Sequence, residues 1–165
     1  MEQNLDNKSR LIFFYEKNKI KFYSFIILLL ILMFSIFLFI LNNEKKNNLI
    51  AEKYIQAGIY LNKKQIDQSI ILYEEIILSK NKIYSILAIN NILENNLISD
   101  QNKVLKLLRA VESLDHSSEY KDLLILKKAL YLIKIKNLNE GNALLKNLIN
   151  KDSKIKYLAE EILKK

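Results

Sequence analysis

From Phe22 to Leu41 the chain runs twenty residues without a charge, a glycine or a proline, and only Ser24 and Ser35 interrupt its apolar character. At about 1.5 Å of rise per residue, a helix of that length covers about 30 Å, the thickness of a bilayer's hydrocarbon core. The run is apolar on every face, which separates it from an amphipathic surface helix. Its far edge, Phe39-Ile40-Leu41-Asn42-Asn43, lacks the small-residue pattern at which a signal peptide is cleaved. The pattern predicts an uncleaved transmembrane signal anchor over 22–41. Lys8, Arg10, Lys17, Lys19 and Lys21 precede it, while Lys45, Lys46 and Lys53 follow it. That bias predicts a cytoplasmic N-terminus and a C-terminal part across the membrane. Tyr23 is an interface-anchor candidate at the inner edge.

Beyond the span the apolar spacing turns helical. In QIDQSIILYEEIIL, residues Ile66, Ile70, Tyr73 and Ile77 fall at steps of four, three and four. Val104, Leu107, Val111 and Leu114 mark the next clear stripe, and Leu138, Leu145, Leu148 and Ile149 another. Breaks rich in Asn, Lys, Asp and Ser separate these stripes, with Asp100 and Asp152 as candidate helix caps. The expected helices are 47–62, 65–79, 82–97, 101–114, 118–135, 138–150 and 153–164. Helices of about 13 residues are marginal alone in water, so they must stack. Short connections make sequential neighbours antiparallel. The chain therefore divides into a basic tail (1–21), a span (22–41) and an all-α domain (42–165), joined by a short tether, LNNEKKNN.

The helices repeat. Moving 72 residues along the chain brings Ile66 onto Leu138, Ser69 onto Gly141, Tyr73 onto Leu145, Ile76 onto Leu148 and Ile83 onto Ile155. A middle copy at 101–114 lies about 35 residues after the first, a period typical of stacked helix pairs. Ala57 and Ser69 stand twelve positions apart, as do Ala129 and Gly141. In this spacing the segment resembles the tetratricopeptide-repeat (TPR) family, in which small residues on paired helices let the backbones approach. Tyr60 and Leu132 match that family's large residue three positions after the first small one. Tyr73 and Leu145 match its bulky residue four after the second. The chain departs from the pattern in carrying Lys53 and Ile125 at the early aromatic position and Asn81 and Ser153 near the terminal proline. The middle copy sets Ile92 against Val104. The resemblance implies a degenerate TPR-like helical-hairpin solenoid of about seven helices over 47–164.

Composition narrows the chemistry. The net charge is +8, with 26 basic residues spread along the chain, and proline and cysteine are absent. Abundant Lys, Asn and Ile suggest an AT-rich bacterial genome, so part of the basic excess reflects codon usage. No basic cluster with a groove-reading or base-stacking motif points to nucleic acid. Without cysteine there is no disulfide and no thiolate metal site. The only glycines, Gly58 and Gly141, cannot form a phosphate-binding loop or a nucleophile elbow. The single histidine, His116, lies in an inter-helix break and reads as a solvated loop residue. Glu74 and Glu75 point about 100° apart on a helix and make no catalytic pair. The sequence thus predicts no enzyme, cofactor, metal or small-molecule substrate.

What remains is a surface for other proteins. Tyrosine is favoured at interfaces, and Tyr54 and Tyr84 are the candidate exposed contacts, with Tyr60 and Tyr73 assigned to the core. The resemblance extends to single-pass inner-membrane proteins with a periplasmic TPR-like domain, among them the ancillary TPR subunit of the bacterial Sec translocon. It implies a scaffold meeting the translocon, a periplasmic chaperone or emerging client chains, with Phe22–Leu41 in the lipid bilayer. A scaffold for cytochrome maturation or cell-wall assembly is the alternative.

Overall fold

A computed structural model describes residues 2–115 and 117–164 of the chain. His116 lies outside the described residues. These residues form seven helices: α1 (Glu2–Asn62), α2 (Ile66–Leu78), α3 (Lys82–Glu94), α4 (Gln101–Glu112), α5 (Ser118–Lys134), α6 (Leu138–Asn150) and α7 (Lys156–Leu163). The protein is all-helical, with one long apolar N-terminal helix. Two compact units meet at the boundary between Lys46 and Asn47.

In the first unit, α1 carries a window of mean hydropathy 3.2, long and apolar enough to cross a membrane, and none of that window is buried within the protein. The Phe22–Leu41 side chains are exposed all round the helix. Ser35 satisfies its hydroxyl internally, donating to the Ile31 carbonyl at 2.9 Å, as an apolar surrounding requires. Tyr23 meets Tyr15 hydroxyl to hydroxyl at 3.0 Å. The segment expected to be a tether, LNNEKKNN, is helical throughout. It has no glycine or proline, and Asn and Lys leave the helix ladder intact. The expected first helix, 47–62, is therefore the C-terminal end of α1.

The second unit is built in two layers. Ala57 of α1 lies against Ser69 of α2, and Lys53 pairs with Glu75, so α2 folds back antiparallel on the end of α1. Asn47 bonds Asn81, and Tyr54 bonds Asn91, which sets α3 parallel to that end. Glu94 pairs with Lys127, and Lys134 bonds Asn96, which sets α5 parallel to α3. The end of α1, α3 and α5 thus form one layer, while α2, α4 and α6 each pack on the helix before. Glu74 ties α2 to Lys103 of α4 at 2.6 Å. The adjacent Glu74 and Glu75 accordingly serve different neighbours.

One core cluster joins α1 through α5 around Ala57, Tyr73, Ile76, Ile89, Leu108 and Leu124. A smaller one holds α5, α6 and α7 together around Leu126, Ala129, Leu145, Leu148 and Ala159. Helix α5 serves both because its apolar residues occupy more than one face. Buried Asp122 accepts from Lys151 and from the Ser153 hydroxyl, fastening the start of α5 to the end of α6. Burial alone raises its pKa. The bonds from Lys151 and Ser153, with the lysine's charge, outweigh that and hold it below the usual aspartate value.

Helix ends explain the turns. Asp100 caps α4 as expected, accepting from the Asn102 and Lys103 amides at 2.9 and 3.2 Å. Asp152 does not start α7, which begins only at Lys156. It sits instead at φ 53° just past α6, its N–H bonded to the Ile149 carbonyl, while the Ser153 N–H reaches Leu148. This is a Schellman ending, which places one residue in the left-handed region. Lys64, Lys80, Asn96 and Lys136 adopt the same backbone hand.

Candidate functional site

The small-residue positions meet in space. Ser69 Oγ donates to the Ala57 carbonyl at 3.0 Å, with both residues fully buried. An added Cβ on Gly141 would stand 3.0 Å from the Ala129 carbonyl oxygen and 2.8 Å from Ile133 Cγ1, so α5 and α6 approach closely there. In the middle pair Ile92 and Val104 are both buried, and α3 packs on α4 less extensively than α5 on α6. Large side chains at the crossing hold two helices further apart.

Tyr54 and Tyr84 are not free contacts. Their rings lie 5.7 Å apart, and Tyr54 is 6.0 Å from the buried Tyr73 ring. The Tyr54 hydroxyl accepts from Asn91 Nδ2 at 3.0 Å. Both are half-buried against the main core. Sequence spacing hid this, because three parallel and antiparallel helices converge on these tyrosines only in the folded unit. Tyr73 lies in the core as expected, where burial, then the Tyr54 phenol, pushes its hydroxyl pKa up. Tyr60 is half-buried.

An exposed apolar face lies elsewhere, on the side of the α1–α3–α5 layer turned away from α2, α4 and α6. Ile55 and Ile59 each stand two residues from buried Ala57, about 200° around the helix. Ile83 and Leu87 bear the same relation to buried Ser85 on α3. On α5 the exposed stripe is Tyr120, Leu123 and Leu130, with Lys121 and Lys134 exposed beside them. Ile83 is 69% exposed, too much for a packing residue.

Between α3 and α5 this face sinks into two hollows. One, of about 370 Å³, is lined by Ile83, Ile86, Leu87 and Tyr120, with Lys82 and Asp115 on its rim. The other, of about 190 Å³, lies toward the C-terminal ends of the same helices, between Leu93, Leu130 and Tyr131, with Lys127 and Lys134 beside it. Asp115 pairs with Lys82 at 3.4 Å and Glu94 with Lys127 at 3.5 Å. Lys134 donates to the neutral Asn96 side chain. Among the described residues no group of three His, Cys, Asp or Glu side chains converges on a metal-sized site. The arrangement offers apolar area and lysine charge, which suits binding of another chain.

No protein-family model, curated protein or solved structure matches the chain.

Proposed function

We propose that this chain is a membrane-anchored, non-catalytic protein-interaction scaffold, its second unit a degenerate TPR-like solenoid held on a single N-terminal membrane helix. The observation that carries the reading is the open apolar face of the α1–α3–α5 layer, which no other described helix of the second unit covers. The close crossings at Ala57–Ser69 and Ala129–Gly141 support the repeat reading, since small residues at that spacing are what the TPR resemblance rests on. The basic bias before Phe22 supports a cytoplasmic N-terminus and a periplasmic second unit in the bacterial inner membrane. In that setting the scaffold assists protein translocation or envelope protein biogenesis, meeting the translocon, a periplasmic chaperone or emerging clients.

The test is recovery of the intact protein from mild detergent with its companions identified. Translocon subunits or periplasmic chaperones are expected. Exclusive recovery of haem-ligation or cell-wall factors assigns the scaffold to that machine instead, and recovery of no companion protein overturns the reading. A reporter active only in the periplasm, fused after Lys165, is expected to be active. A stable but inactive fusion reverses the orientation.

A further inference from the structure

Resting on that scaffold reading, we propose that the groove between α3 and α5 docks an acidic amphipathic segment of a partner protein, apolar side chains on its floor and carboxylates against its lysines. The floor is apolar at both ends: Ile83, Leu87 and Tyr120 at one, Leu93 and Leu130 at the other. The two ends lie along one helix face, so a segment lying in the groove engages both. From Tyr120 to Lys134 is fourteen residues of α5, about 21 Å at helical rise.

The charge on the rim selects the occupant. Each carboxylate lining the two hollows is already matched: Asp115 by Lys82 and by Lys121 at 4.0 Å, and Glu94 by Lys127. The lysines exceed the acids, because two share Asp115 and Lys134 meets no carboxylate among the described residues. A basic segment would bring further like charge to Lys82, Lys127 and Lys134, whereas an acidic one supplies a carboxylate to Lys134 and a second one to the Lys82 and Lys121 that share Asp115. Apolar burial supplies the affinity and the lysines supply the sign preference.

Fluorescence anisotropy of the full chain in mild detergent tests this. The probes are a labelled amphipathic peptide of Leu and Glu and its counterpart with Lys replacing every Glu. The acidic peptide is expected to bind, more weakly as salt rises, and the basic one is not. Ile83→Asp is expected to weaken binding about tenfold through loss of an apolar anchor. Lys134→Glu is expected to weaken the acidic peptide and admit the basic one. Ile71→Asp, on the exposed side of α2, is expected to change nothing. All three positions are exposed, and unchanged helical circular dichroism establishes that the variants fold. Equal binding of both peptides, or indifference to Ile83→Asp and Lys134→Glu, overturns the proposal. Self-association of the chain that both variants abolish makes the occupant a second copy and also overturns it. Companions recovered from detergent but unaffected by either variant leave the scaffold reading standing and remove this groove from it.

Discussion

Ser69 and Ala57, twelve residues apart, are joined by a 3.0 Å hydrogen bond from the serine hydroxyl to the alanine carbonyl, across the crossing of α1 and α2. A bulkier residue at either position would hold the helices apart and lose the bond. The crossing of α5 and α6 is closer to the steric limit, since Gly141 has no room for a Cβ beside Ile133 and Ala129. The repeat is therefore a packing constraint as well as a sequence pattern.

The two glycines of the chain respond in opposite directions to the same change. Gly141→Ala pushes α6 off α5, an overpacking that costs about 1–3 kcal/mol, against about 0.5–1 kcal/mol gained by removing glycine from a helix. The net is a loss of about 1 kcal/mol. Gly58 has nothing within 4 Å of an added Cβ and a helical backbone. Gly58→Ala is expected to gain about 0.5–1 kcal/mol. Urea unfolding of the full chain in mild detergent, followed by the tyrosine signal, reads both. A stabilised Gly141→Ala variant would show that the crossing is looser than these distances.

Much of the fold could be read from residue spacing. Apolar stripes marked α2, α4 and α6, the polar breaks between them delimited the other helices, the small residues marked two crossings, and Asp100 marked a cap. Each of these is a local signal. The junction before Asn47 was misread because Asn- and Lys-rich sequence resembles a break, although nothing in it stops a helix. Tyr54 and Tyr84 were misplaced because their burial depends on which helix lies beside which. The open face was missed for a related reason. Ile83 and Leu87 have the same four-residue spacing as core residues, and only the layer order shows that they meet no neighbour.

Turns carry a second trace of the repeat, one that composition conceals. Lys64 and Lys136 lie 72 residues apart and hold φ of 60° and 65°, each at the end of the first helix of a pair. Gln65 N–H reaches the Tyr60 carbonyl at 2.9 Å, and Asn137 N–H reaches Leu132 at the same distance. Glycine is the usual residue there, and a side chain in this region costs about 1–2 kcal/mol. Lys64→Gly and Lys136→Gly are each expected to stabilise the second unit by about 1 kcal/mol, and Lys64→Val to destabilise it. Urea midpoints that fall for both glycine variants would contradict the left-handed assignment.

Asp100 offers a cap whose removal isolates one helix. Its carboxylate accepts from two backbone amides of α4, and the helix dipole favours its charge. Asp100→Ala is expected to cost about 1 kcal/mol and Asp100→Asn much less, since the amide oxygen can still accept. Hydrogen exchange should quicken first at the Asn102 and Lys103 amides. Equal exchange in the alanine variant would mean that tertiary packing alone holds the start of α4.

Acid should loosen the α5–α6 junction through Asp122. The folded carboxyl titrates below its ordinary value: burial acts upward, and the Lys151 and Ser153 bonds prevail. A depressed folded pKa means that its stabilisation is complete above the unfolded value, about 3.9, and is lost as pH falls through the folded value. The loss therefore begins near about pH 5 and deepens below it. Glu119 and Asp152 are also held low, first by hydrogen bonds from Lys154 and Lys156. Their pairs are solvent-exposed, so added salt screens them while Asp122 remains shielded. Asp122→Ala is expected to cost about 2 kcal/mol at neutral pH by removing the acceptor for the buried Ser153 bond and the half-buried Lys151 bond. Asp122→Asn should lose less and flatten the acid dependence that persists at high salt. Unfolding followed against pH at high salt checks this. If Asp122→Asn keeps the parent's acid midpoint, the junction's pH response arises from some other carboxylate.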